Sequence, residues 1–386
     1  MAVERFHIGV ADEILEDLKW RLKHTRWPEQ LSDVSWERGT ELTYLQSLVS
    51  YWQHQYDWRE QEAKLNRFNQ FRCNIDGIDI HFVHERGRGP NPLPLILTHG
   101  WPDSYLRYQS IIPLLTDPAR YGGNPEDAFD VIVPSLPGFG FSGRPAQSGI
   151  NNERVSELWV KLMTEELGYT RFGAAGGDLG SGVTRYLAFN HPELLTGIHL
   201  TDIGILRDLM NTPVSAELTE EELRYKRNAQ EWIAQEGAYM SAQSTRPQTI
   251  AYGLTDSPVG LAAWLIEKFR AWSGCNGDLQ RVFSMDELLT HIMLYWVTGT
   301  AGSAAHMYYE NAHSLPPLGR IEVPAGIAIF RADVLQPPRK WAARNLNITR
   351  WTSIPRGGHF TAMEEPELFT EDIRAFYRTL RGGTDR

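Results

Sequence analysis

The chain has little of what would tie it to a metal, a membrane or a nucleic acid. Only two of its residues are cysteine, Cys73 and Cys275, and neither stands in a Cys-x-x-Cys or Cys/His spacing. That excludes a disulfide framework and a zinc module, so a reduced protein without metal or organic cofactor is expected. No window approaches the ~18 uninterrupted apolar residues of a spanning helix, and the opening Met-Ala-Val-Glu-Arg lacks a charged-then-apolar leader pattern. The expectation is a cytoplasmic protein with no membrane partner. Positive charge is in deficit too: a net charge of −10 and a pI near 5.7 argue against nucleic acid or an anionic surface as partner. Gly-x-Ser-x-Gly is also missing, which disfavours a serine esterase.

Apolar and aromatic residues, by contrast, are plentiful. Hydrophobic residues make up 42% of the chain, ample for a core, and 386 residues exceed the ~100 to 200 usual for one domain. A main domain with substantial additions is therefore expected. Thirteen tryptophans and fifteen tyrosines are an unusual number and point to an aromatic-rich cavity, although large core residues would account for them as well.

Apolar residues first recur at helical spacing. Ile14, Leu15, Leu18 and Leu22 share one face, Leu45, Leu48, Val49 and Trp52 another, and a third run follows Trp58, which predicts an all-helical extension over residues 1–70. Alternation takes over at Phe71, Cys73 and Ile75, breaks at Asp76-Gly77 and resumes at Ile78, Ile80 and Phe82, the signature of a β-hairpin with a type I′ turn. Buried strands are predicted at Leu93 to Thr98, Asp130 to Pro134, Arg171 to Ala175, Gly197 to Thr201, Gly326 to Phe330 and Thr349 to Ile354. Helical stretches separate several of them, the rhythm of a mostly parallel sheet. Between Asp202 and Leu318 that rhythm is lost, and helical patterns at Glu217 to Gln235, Val259 to Trp272 and Asp286 to Gly299 predict an inserted helical cap. The chain thus divides into an extension (1–70), a core in two parts (71–204 and 319–386) and a cap (205–318), with the prolines of Ser314 to Gly319 as return hinge.

Gly176-Gly177-Asp178-Leu179-Gly180 lies where the strand from Arg171 meets a helix from Ser181 to Asn190. Taken alone, such a run is an ordinary turn. On a strand-to-helix turn with small neighbours, its side chain projects above the sheet as the nucleophile of a nucleophile elbow does. A carboxylate there suits displacement at an alkyl carbon, giving an ester that water can cleave at its carbonyl. His359, in Arg356-Gly357-Gly358-His359-Phe360, follows the last predicted strand and is the candidate base. Asp333, just past the strand ending at Phe330, is the candidate acid to orient it. Glu364 and Glu365 compete for that part, but they lie so close behind His359 that they read as the start of the closing helix. The loop His99-Gly100-Trp101-Pro102 can aim the Trp101 N–H, together with that of Leu179, at an oxyanion. Trp101-Pro102 is also a candidate cis peptide.

These segments together resemble the microsomal-type epoxide hydrolases of the α/β-hydrolase superfamily, as a soluble, bacterial-like member, over nearly the whole chain. Arg26-Trp27-Pro28, Tyr51-Trp52 and Tyr56-Asp57-Trp58-Arg59 carry the likeness in the extension. In the core it is carried by His99-Gly100-Trp101-Pro102, the run from Pro134 through Gly138-Phe139-Gly140 to Ser142, Gly177-Asp178 and the segment around His359. One position departs: the family often has tryptophan after the nucleophile, and here it is Leu179, which keeps the backbone donor but changes the pocket wall. The membrane anchor of mammalian microsomal members is not seen either.

The resemblance implies an α/β-hydrolase fold with a mostly parallel sheet, a helical cap insertion and a helical N-terminal extension. It further implies two cap tyrosines that hydrogen-bond the epoxide oxygen. By motif these are Tyr239, in Gly237-Ala238-Tyr239-Met240, and Tyr308, in Met307-Tyr308-Tyr309-Glu310-Asn311, with Tyr309 as rival. A phenol of pKa ~10 can donate to an opening epoxide and stay protonated at neutral pH. The implied reaction converts an epoxide to a vicinal diol through a hydroxyalkyl ester on Asp178. An aromatic-rich cap suits bulky or aryl epoxides, in detoxification or in making antibiotics such as enediynes; a homo-oligomer stays open. The rival readings are a haloalkane dehalogenase, which needs halide donors in place of the tyrosines, and a non-catalytic binding protein on the same fold.

Overall fold

The computed structural model describes residues 3–204 and 218–381. Its strands, β1 (Glu4–Arg5), β2 (Gln70–Ile75), β3 (Ile78–Glu85), β4 (Leu93–Thr98), β5 (Phe129–Pro134), β6 (Phe172–Gly176), β7 (Leu195–Leu200), β8 (Ile321–Phe330) and β9 (Leu346–Ile354), form one sheet in the order β1-β2-β3-β5-β4-β6-β7-β8-β9. From β5 to β9 the strands run parallel, and β1, β2 and β3 add antiparallel at one edge. Central strands covered on both faces read as unbroken apolar runs, and Leu95-Ile96-Leu97 and Val131-Ile132-Val133 are fully buried. The hairpin between β2 and β3 turns at Asp76 (φ 51°) and Gly77 (φ 83°), the two positive φ angles a type I′ turn needs.

Helices cover the sheet. Those of the extension are α1 (Asp12–Lys23), α2 (Leu42–His54) and α3 (Trp58–Leu65). In the core, α4 (Asn152–Lys161) and α5 (Leu179–Asn190) flank the central strands. Between β7 and β8 lie α6 (Glu220–Glu236), α7 (Ala238–Thr245), α8 (Pro247–Asp256), α9 (Pro258–Trp272), α10 (Met285–Thr298) and α11 (Ala301–His313), and the chain closes on α12 (Pro366–Arg381). Tyr377 of α12 reaches under the sheet, where its hydroxyl donates to the carbonyls of Ala174 and Gly197, each at 3.0 Å. The extension braces the cap: Tyr51 donates to Asp286 at 2.9 Å and Tyr56 pairs with Thr290 at 3.1 Å, both on α10.

Several details depart from the sequence reading, among them the start of β9 at Leu346 instead of Thr349. The extension is not all helical, since Glu4 and Arg5 pair with Arg72 and Phe71 as β1; two residues are too few for an alternation to show. On α1, Leu18 and Leu22 are buried but Ile14 faces solvent. Strand β8 begins at Ile321 instead of Gly326, because Pro324 and two register shifts interrupt its alternation. In the cap, α6, α9 and α10 lie close to the predicted stretches, their starts at Thr219 and Ser284 marked by capping boxes with Glu222 and Glu287. Helices α7, α8 and α11 were not anticipated. α11 opens Ala-Gly-Ser-Ala-Ala, without the large apolar residues that reveal a period, and α8 opens on Pro247 and contains Gly253. The predicted first cap residues, from position 205 to Glu217, lie outside the described residues.

Candidate active site

The site sits over the carboxyl ends of β4, β6, β8 and β9. Strand β6 ends at Gly176 and α5 begins at Leu179, so Asp178 occupies the turn between them at φ 56° and ψ −126°, a conformation L-residues rarely adopt. Such a turn requires close backbone approach. A Cβ on Gly180 would overlap the Thr98 carbonyl, and one on Gly100 would overlap the Asp178 carboxylate itself. The carboxylate therefore rests against bare backbone. There Oδ1 accepts the Trp101 N–H at 2.8 Å, and the Leu179 N–H also donates to the carboxylate. Trp101-Pro102 is cis.

The other carboxylate oxygen faces the histidine. His359 Nε2 is 3.5 Å from Asp178 Oδ2, and its Nδ1 is 3.0 Å from Asp333 Oδ1. Asp333 thus lies on the far side of the ring. Glu364 is occupied elsewhere: it accepts the backbone N–H groups of Gly274 (2.7 Å), Gly358 (2.8 Å) and Phe360 (2.9 Å), clamping the loop that carries His359. Glu365 pairs with Arg356 at 2.7 Å.

Charge follows from this arrangement. Burial disfavours the His359 imidazolium, but the carboxylates of Asp333 and Asp178 outweigh it and push the group up to about 10. Burial likewise opposes ionisation of Asp178, yet His359 and the Trp101 and Leu179 N–H groups hold its carboxyl below the ordinary range. The resting site is an ion pair between Asp178 and His359, with a second carboxylate behind the ring.

Opposite stand the tyrosines. Tyr239 lies on α7 and Tyr308 on α11, both buried, and their hydroxyls hydrogen-bond each other. The Trp101 ring stacks flat on Tyr239 at 5.0 Å and meets Tyr308 edge-on at 5.9 Å. Burial first, and the Asp178 charge second, keep both phenols well above their ordinary pKa, hence protonated and able to donate. Tyr309 points away, 37% exposed and stacked on His313 at 4.1 Å. A cavity of about 510 Å³ connects Asp178, His359, Tyr239 and Tyr308, and Trp232, Met240 and Leu335 continue its wall. Among the described residues no cluster of His, Cys, Asp or Glu has metal-binding geometry.

Sequence reasoning missed the residues that hold this frame. Arg107 donates to Asp103 and to the His359 carbonyl, and Asp103 accepts the Gly100 N–H at 3.0 Å, so one buried ion pair ties the Trp101 loop to the histidine loop. An Asp/Arg pair four residues apart, directly after His99-Gly100-Trp101-Pro102, was the available signal. Trp272, whose carbonyl accepts the His359 N–H at 2.8 Å and whose ring lies 5.1 Å from that of Tyr239, gave none. Asp202 was missed as well: it follows β7, lines the cavity and accepts the Asp178 N–H at 2.6 Å.

Comparison with known proteins bears on the family and the fold. Residues 3–108 match the family model "Epoxide hydrolase N terminus", and residues 94–272 match "alpha/beta hydrolase fold". The chain is 46% identical over 377 residues to the "Putative epoxide hydrolase" of Stigmatella aurantiaca, covering 97% of this chain and 85% of that protein. It is 37% identical to "Epoxide hydrolase 1" of Sus scrofa, covering 98% and 89% of the two chains. Among solved structures, that of Aspergillus niger epoxide hydrolase superposes with a TM-score of 0.86 at 28% identity, over 98% of this chain and 97% of that one.

Proposed function

The chain belongs to the epoxide hydrolase family and is an epoxide hydrolase, and on that premise we propose that Asp178, Tyr239, Tyr308, His359 and Asp333 divide its chemistry between two half-reactions. In the first, Asp178 Oδ2 attacks one epoxide carbon from the face opposite the ring oxygen. The carbon–oxygen bond of the epoxide breaks, and the leaving oxygen takes a proton from the phenol pair. The observation that carries this reading is the division of one carboxylate: Oδ1 rests on the Trp101 N–H at 2.8 Å while Oδ2 faces His359 at 3.5 Å. Attack through Oδ2 leaves Oδ1 as the ester carbonyl, already against the donors of an oxyanion hole.

The second half-reaction needs a base, and the first creates it. Once Asp178 is an ester its charge is gone, one of the two carboxylates that held His359 at about 10 no longer acts, and the imidazole becomes a better base at neutral pH. The imidazolium first gives its proton to the phenolate left by ring opening; as neutral imidazole it then takes a proton from water, which attacks the ester carbonyl of Asp178. The hydroxyl of the tetrahedral intermediate gives its proton to the leaving diol oxygen, the carboxylate is restored, and His359 keeps the proton it took from water, which re-forms the resting ion pair. Asp333 keeps the imidazole in the required tautomer throughout.

The substrate class follows from the cavity wall. Trp232, Met240 and Leu335 offer apolar surface, so a bulky or aryl epoxide is the proposed substrate. The division into extension, core and cap belongs to the same proposal, the cap supplying the phenols and the core the rest. A single turnover of excess enzyme in ¹⁸O-water tests it. Attack of water on the ester puts the label into the peptide holding Asp178 and leaves the first diol unlabelled; label in the first diol would mean direct addition of water to the epoxide.

A further inference from the structure

The mechanism above leaves one acid of the cavity wall unused. Asp202, two residues past β7, sends Oδ2 to the Asp178 backbone N–H at 2.6 Å and Oδ1 to the Gly204 N–H at 3.0 Å. Its own carbonyl accepts the Ser181 hydroxyl of α5 at 2.7 Å. The residue is therefore bound to the nucleophile turn from both sides, at the point where Asp178 holds its unusual φ of 56°. An amide or hydroxyl would satisfy that N–H; a carboxylate also brings charge. With Asp178 and Asp333 it makes three carboxylates around a single imidazole.

We propose that Asp202 is a positioning residue for the reaction: it pins the nucleophile turn through the Asp178 N–H, and its negative charge beside Asp178 speeds ester formation. This rests on Asp178 being the nucleophile. Like charge close to a carboxylate destabilises its ionised form, and that destabilisation is relieved when alkylation removes the Asp178 charge. The groups that face Asp202 are Asp178, Asp333 and His359, with Tyr108 of the segment after β4 nearby and Arg185 of α5 donating to the next carbonyl, that of Ile203. Burial first, then Asp178 and Asp333, push the Asp202 carboxyl up to about 6, so its charge changes within the range in which the enzyme can be assayed.

The test uses full-length His359→Gln, in which ester hydrolysis is blocked and ester formation is read alone by mass spectrometry with styrene oxide between pH 5 and 9. Losing the imidazolium moves the Asp202 midpoint above 6, since His359 favours its ionised form. The ester-forming rate should then rise about tenfold through that midpoint. Adding Asp202→Asn keeps an oxygen for the Asp178 N–H but removes the charge; it should lower the rate above the Asp202 midpoint about tenfold and abolish the rise through that midpoint, so that any dependence left is that of Asp178 itself. Asp202→Ala should be slower still. A flat profile in His359→Gln, however Asp202→Asn folds, overturns the proposal, and so does an unchanged rise in His359→Gln/Asp202→Asn. Absence of any ester in His359→Gln, where wild type forms the diol from styrene oxide, overturns the nucleophile assignment itself, and this proposal with it.

Discussion

The two walls of the cavity hold their functional groups by different means. On the sheet side the backbone is in control: Asp178 is locked by a positive φ, by glycines that admit no side chain, and by N–H groups of Trp101 and Leu179. On the cap side packing is in control, with Tyr239 set by the rings of Trp101 and Trp272 and sharing a hydrogen bond with Tyr308. A wall fixed by backbone fails all at once when one atom is wrong. A wall built from two equivalent phenols fails in steps.

The largest effect expected is on the sheet side. On the proposed mechanism Asp178→Ala removes the atom that forms the bond, so diol formation should fall ~10⁴-fold or more while the circular dichroism stays that of wild type. Retained turnover would break the comparison at its root. Asp333→Asn should slow ester hydrolysis ~10²- to 10⁴-fold and leave ester formation nearly unchanged, so that stopped-flow assays show ester building up. Equal losses in both half-reactions would mean that Asp333 shapes the whole wall instead of orienting His359.

Next come the phenols. Tyr239→Phe and Tyr308→Phe should each lower the ester-forming rate ~10- to 100-fold, and the double variant should lose more than the product of the two, because each phenol covers for the other. Strict additivity would show that they act on separate steps.

Smaller effects reach stability. The raised folded-state pKa of His359, about 10 against an ordinary 6.5, means that protonating it stabilises the fold fully below pH 6.5 and that this contribution is lost as pH rises through 10. The Tm gap between wild type and His359→Gln should therefore narrow from pH 6.5 to 10; a gap that widens contradicts the ion-pair description. Smallest of all, Tyr56→Phe removes one hydrogen bond between extension and cap and should cost about 1 kcal/mol in urea unfolding with little change in turnover.

The same contrast decides what could be read from the sequence. Groups on the sheet side announce themselves because backbone constraints need particular residues: Asp76-Gly77 at a type I′ turn, glycines around Asp178, a histidine among glycines after β9. The placement of Asp178, Asp333 and His359 within contact of one another follows from those signals. The cap is harder to read. Helices α7 and α11, which carry Tyr239 and Tyr308, have small or polar residues where a period would show, so the tyrosines were found by resemblance and not by pattern. The spacing of Asp103 and Arg107 shows in the sequence, but the Arg107 bond to the His359 carbonyl, the Glu364 bond to Gly274 and the Asp202 bond to the Asp178 N–H join segments distant in sequence, which no local spacing encodes.

The central claim is a covalent ester on Asp178, and the most direct measurement is intact-protein mass spectrometry of His359→Gln mixed with a panel of aryl and alkyl epoxides. The account predicts a mass increase of one epoxide, mapped by peptide digestion to the segment holding Asp178. Diol formation by the wild type from the same epoxides, with no adduct in His359→Gln at any time point, would contradict it.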